Sequence, residues 1–120
     1  MAVNILEFTG IALTLLVAAL HVWFMILEMC LWQKPQGLKT FRMTPEKAAA
    51  TAVLAANQGL YNGFLAAGLL FSLFTGHQSC LIFFLVCVIV AGLYGAYSVN
   101  RKIFLIQSLP AITALIFVLF

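Results

Sequence analysis

Apolar and polar positions fall into long blocks along this chain. Apolar stretches run from roughly Ile5 to Trp32, Pro45 to Phe74, Cys80 to Val99 and Ile103 to Phe120. The first three reach the ~20 residues that a helix needs to cross a bilayer core, and the fourth approaches it. Backbone groups in lipid must be satisfied within the segment, so these stretches are expected as helices. The opening turns of the second are amphipathic and suit an interface, and the fourth is barely long enough to span.

The polar breaks carry their own chemistry. Lys34-Pro35-Gln36-Gly37 stops the first helix, because proline has no amide hydrogen and glycine resists ordering. Thr44-Pro45-Glu46 starts the second: threonine caps, proline fits the first turn, and glutamate favours the positive end of the helix dipole. Thr75-Gly76-His77-Gln78-Ser79 is a tight polar turn and Asn100-Arg101-Lys102 a shorter one. Short connections make neighbouring helices antiparallel. The expected fold is all-α: a single domain over residues 1–120, built as an antiparallel bundle of four transmembrane helices.

Composition turns the helical pattern into a membrane pattern. Of 120 residues, 65% are hydrophobic and only 8% charged, against about 25% charged in soluble domains. The apolar run from Ile5 has no basic residue ahead of it and no small-residue cleavage site behind it, so it is expected to be retained rather than removed as a signal peptide. Cys30, Cys80 and Cys87 match no metal spacing or disulfide framework and are expected as small apolar fillers.

Charge sets the orientation. All 6 basic residues lie in two breaks: Lys34, Lys39, Arg42 and Lys47 in the first, Arg101 and Lys102 in the third. The positive-inside rule then places both of these loops in the cytoplasm and both termini outside, in the bacterial inner membrane. The net charge of +3 is used up by this topology signal, which anionic lipid can assist. No basic surface remains for nucleic acid.

Candidate chemistry follows from where polar residues interrupt the apolar blocks. His21 and Glu28, seven residues apart, share a face of the first helix. They stand about 10 Å apart along the axis, so a direct bond is not expected. A ligand, a water or Asn57 would have to bridge them. Asn57, Gln58 and Asn62 lie on the second helix, Tyr94 and Tyr97 on the third, and Gln107 with Pro110 on the fourth. Most of this inventory falls in the cytoplasmic half and the midplane, which suggests a polar pocket open to the cytoplasm. Its ligand residues would be His21, Glu28, Asn57, Gln58, Asn62, Tyr94 and Gln107. Each also has a plainer role: amides join helices, tyrosines anchor at interfaces, and Glu28 can snorkel or pair with Lys34. Ala55, Gly59, Gly63 and Ala67 recur every four residues on the second helix, and Gly92 with Ala96 does the same on the third. Both stripes read as close helix packing.

Three blocks carry a family resemblance: His21-Val-Trp-Phe-Met-Ile-Leu-Glu28-Met-Cys-Leu-Trp32, Ala56-Asn57-Gln58-Gly59-Leu60-Tyr61-Asn62-Gly63 through Gly68, and Tyr94-Gly95 with Gln107 and Pro110. In these the chain resembles the bacterial integral-membrane family catalogued as domain of unknown function 1304. The resemblance implies a four-helix membrane protein and does not supply an activity.

Three function classes fit these features. The first is binding or transport of a small amphipathic molecule, with Glu28 or His21 titrating. Its architecture is like that of small multidrug exporters, which leaves room for a homodimer. The second is a membrane enzyme, such as an isomerase of lipid-like substrates, with His21 and Glu28 as acid and base. The third is an accessory subunit in which the polar residues only pack. The lipid bilayer is the one partner common to all three, and no cofactor is expected. No metal is expected either, since His21, Glu28 and Cys30 do not share a helix face.

Overall fold

The computed structural model describes residues Val3–Phe120, and every regular element among them is helical. The order is α1 (Ile5–Met29), α2 (Pro35–Phe41), α3 (Pro45–Thr75), α4 (Gln78–Ser98), a π-helical segment (Phe104–Ser108) and α5 (Leu109–Leu119). Of these, α1 and α4 are each long and apolar enough to cross a membrane, while the run Phe104–Leu119 is apolar but shorter. The chain forms two compact units, Met1–Leu20 with Leu65–Phe120, and His21–Phe64.

In the first unit, α1 opens with a reciprocal cap. The Glu7 amide donates to Asn4 Oδ1 at 2.8 Å and the Asn4 amide donates to Glu7 Oε2 at 3.3 Å, which satisfies two amides that the first turn leaves unpaired. The core gathers Val17, Ala18, Leu69, Leu81, Leu85, Val88, Ala111 and Ala114. At the end of α3, Gly76 takes a left-handed conformation, φ 71°, so the chain reverses within two residues and α4 starts at Gln78, two residues ahead of the expected Cys80. Glycine bears that φ without a Cβ clash.

Buried positions on α4 run Leu81, Leu85, Val88 and Gly92. A Cβ on Gly92 would overlap Ser108 Oγ, and one on Gly95 would lie 3.0 Å from Ile103 Cγ2. The expected close approach on this helix is therefore real, and the π-helical segment uses it. Ser108 donates its hydroxyl to the Ile89 carbonyl at 2.9 Å.

The fourth apolar stretch is not one uniform α-helix. Pro110 has no amide hydrogen, and its ring would strike the carbonyl four residues back in a regular helix. The backbone widens just ahead of it: the Leu109 amide bonds Phe104 O, five residues away. A π turn of this kind absorbs one extra residue and relieves the clash.

Candidate functional site

The second unit, His21–Phe64, holds five of the seven expected ligand residues. It is built from the end of α1, α2 and the first half of α3. On α3 the buried positions are Ala48, Ala55, Gly59, Asn62, Ala66, Leu69 and Ser72, a line of three- and four-residue steps after Ala55. The expected every-four stripe drifts off this line by about 40° per step. Ala67 is accordingly exposed, and the buried slot beyond Gly59 goes to Asn62. Here α1 and α3 run antiparallel at close range. A Cβ on Gly59 would come within 2.7 Å of Met29 Cγ, 3.0 Å of Glu28 Cβ and 3.2 Å of the Met25 carbonyl. One on Gly63 would meet Met25 Sδ at 2.7 Å, the mobile part of an unbranched side chain.

Between these glycines Asn62 reaches across and donates from Nδ2 to Glu28 Oε1. This is a charge-assisted bond if Glu28 is ionised, and it joins two residues 34 positions apart. Glu28 is half-buried and Asn62 buried. Two turns deeper on α1, His21 is 0% exposed, and its ring meets Phe24 edge-on with centroids 5.2 Å apart. The histidine and the carboxylate therefore share one face of α1, with Met25 between them against Gly63.

The remaining expected ligands are distributed otherwise. Asn57 and Gln58 are exposed, and Asn57 Nδ2 donates back to the Val53 carbonyl of its own helix at 3.1 Å. Asn57 does not bridge His21 and Glu28; the α3 amide that bonds Glu28 is Asn62. Tyr94 (69% exposed) and Gln107 (half-buried) belong to the other unit. That unit has a groove of about 580 Å³ lined by Glu7, Gly10, Ser72, Gln78 and Phe117 among others, and none of the seven expected ligands borders it. No buried side-chain nitrogen or oxygen among the described residues lacks a hydrogen-bond partner.

Sequence reasoning missed the short helix α2 of the second unit. α1 ends at Met29, three residues before Trp32, with the Cys30 and Leu31 amides both turned onto Ile26 O. Cys30 is exposed and fills no core space. The Lys34-Pro35-Gln36-Gly37 break becomes the start of a helix, with Pro35 at its first position, where a missing amide does no harm. Gly37 is buried because a side chain there would run into the Leu31 and Trp32 carbonyls. Trp32 ties the turn together: its ring lies 4.7 Å from that of Phe41, and Nε1 donates to Thr51 Oγ1 at 3.1 Å. Arg42 closes α2 in a left-handed conformation, φ 52°, with its amide on Leu38 O. The signal available beforehand was Pro35, Leu38 and Phe41 at three-residue spacing, a short amphipathic pattern inside the polar break.

Comparison with known proteins returns one consistent relationship. The model of the family described as "Protein of unknown function (DUF1304)" matches residues 15–119. The Uncharacterized protein YpaA of Lactococcus lactis subsp. lactis (strain IL1403) is 36% identical over 110 residues, covering 88% of this chain and 92% of that protein. No solved structure matches.

Proposed function

The chain belongs to the DUF1304 family, and we propose that it is a four-span membrane protein that binds or transports a small amphipathic molecule at a polar site near its cytoplasmic face. The observation that carries this reading is the Glu28–Asn62 hydrogen bond, on the same face of α1 as the fully buried His21. Ionisable groups at membrane depth are costly and mark sites of function. The carboxylate supplies an acceptor, Asn62 Oδ1 a second, and the exposed amides of Asn57 and Gln58 lie on the same helix as Asn62. The apolar surroundings suit the hydrophobic part of such a ligand.

The 6 basic residues, confined to the α1–α3 connection and to Arg101-Lys102, support cytoplasmic placement of both loops, with the termini outside. An impermeant thiol reagent on intact cells tests this. Gln78→Cys is expected to label and Lys39→Cys is not; the reverse pattern overturns the topology.

For the site, Glu28→Gln and His21→Ala are expected to abolish binding of hydrophobic probes to the purified protein while leaving its helical circular dichroism intact. Unchanged probe binding in both variants would favour the packing role. That reading has its own support in the internal satisfaction of the buried polar atoms.

A further inference from the structure

The segment around α2 carries most of the basic charge of the protein. Between Lys34 and Lys47 stand Lys34, Lys39, Arg42 and Lys47, with Glu46 as the one acid. All four bases are exposed, and among the described residues none takes part in an ion pair. A topology signal needs only the charges and no particular conformation. This segment has a conformation, and it is held at three points: the Trp32–Phe41 ring contact, the Trp32–Thr51 hydrogen bond, and Gly37 seated on the Leu31 and Trp32 carbonyls. The turn after α2 is fixed as well. The Arg42 and Met43 amides both bond Leu38 O, which sets Arg42 at φ 52°. A non-glycine residue enters that region at a cost, and here the residue held there is a guanidinium, the side chain best shaped for bidentate phosphate contact.

The apolar side of α2 fits the same setting. Pro35, Leu38 and Phe41 follow one another at three-residue spacing, Phe41 is 40% exposed, and Trp32 stands beside it. Aromatic rings next to lysines and arginine match the headgroup level of a bilayer, where tryptophan and basic residues anchor.

We infer that the folded segment Lys34–Lys47 is a binding surface for anionic phospholipid headgroups, with Lys34, Lys39, Arg42 and Lys47 facing the phosphates and Trp32 and Phe41 at the level of the glycerol backbone. Charge complementarity selects the partner: an unpaired cationic cluster beside interfacial aromatics meets anionic lipid at the cytoplasmic leaflet. The inference rests on the membrane placement proposed above but on neither Glu28 nor Asn62, so the two fail separately.

The test uses the full chain in vesicles of phosphatidylcholine, with or without phosphatidylglycerol. Phosphatidylglycerol is expected to raise the thermal midpoint and to remain bound in native mass spectrometry. The triple variant Lys34→Gln, Lys39→Gln, Arg42→Gln is expected to retain it roughly a hundredfold more weakly. Lys39→Gln alone, at a side chain that makes no hydrogen bond, is expected to lose roughly fivefold and guards against misfolding of the triple variant. Arg101→Gln with Lys102→Gln is expected to leave retention within twofold. Equal loss in that control would mean diffuse loop charge and overturn the inference, as would indifference of the unaltered chain to phosphatidylglycerol. Equal stabilisation by glycerol phosphate in detergent would reassign the surface to a soluble anion. A chain that does not enter vesicles at all would remove the membrane reading along with this one.

Discussion

The two units of this molecule are held together by different means. Met1–Leu20 with Leu65–Phe120 has a core of aliphatic side chains, and most of its hydroxyls turn back onto their own helices, as Thr14 does to the Gly10 carbonyl and Ser72 to the Gly68 carbonyl. His21–Phe64 has no comparable apolar cluster. It is joined by side-chain bonds between distant residues, Asn62 to Glu28 and Trp32 to Thr51, and by glycines that bring α1 and α3 close. In lipid, apolar side chains gain little by leaving one apolar environment for another, so shape and polar pairing decide which helices associate. The first unit relies on shape, and the second adds pairing, which is directional and specific.

That contrast can be broken most severely at Gly92. Leucine there must displace the Ser108 backbone, which cannot swing aside, and break the bond of the Ser108 hydroxyl to the Ile89 carbonyl. The expected cost is about 3 kcal/mol, at the upper end of overpacking, read as a lost or strongly lowered melting transition in detergent. Gly63→Leu should be milder, about 1 kcal/mol, because its nearest neighbour is the flexible end of Met25. Gly76, although surrounded by open space, is not an inert control for either, since its φ of 71° strains any side chain placed there.

A second break removes pairing without changing shape. Asn62→Leu leaves Glu28 without its donor and is expected to lose about 1–3 kcal/mol of thermal stability. Glu28→Gln keeps an acceptor in place and should lose less. A larger loss for Glu28→Gln than for Asn62→Leu would place the stabilising contact of Glu28 elsewhere.

The smallest effect is a gain. Arg42→Gly should relieve the left-handed strain and stabilise the second unit by up to about 1 kcal/mol, seen as slower hydrogen exchange over α2. If Arg42 also meets lipid phosphate, the same variant weakens lipid retention while stabilising the protein in detergent, so the two measurements move in opposite directions.

The long helices were legible because their signals are local. Thr44 does cap α3, accepting from the Lys47 amide at 3.2 Å, and the breaks at Gly76 and Asn100 fall where composition put them. The helix α2 was not legible, since it is seven residues long and exists through contacts of Trp32 with Phe41 and Thr51 that no local pattern specifies. For the site, the sequence named both Glu28 and Asn62 without pairing them. An every-four count along the small residues steers past Asn62, whereas three-and-four steps land on it beside Gly59. The π-helical segment was hidden for a related reason: Pro110 announced a disturbance, and only the fit of Ser108 against Gly92 shows how the backbone met it.

That segment bears on how the gene can change. A π turn is the structural equivalent of a one-residue insertion in an otherwise regular helix. Loss of one codon within Phe104–Ser108 would keep the face of α5 around Ala111 and Ala114 in register, while bringing the Pro110 ring back against the carbonyl four residues before it. The same deletion between Leu81 and Gly92 would rotate every buried residue beyond it by about 100°. A one-residue deletion therefore preserves the register of the buried face ahead of Pro110 and destroys it along α4.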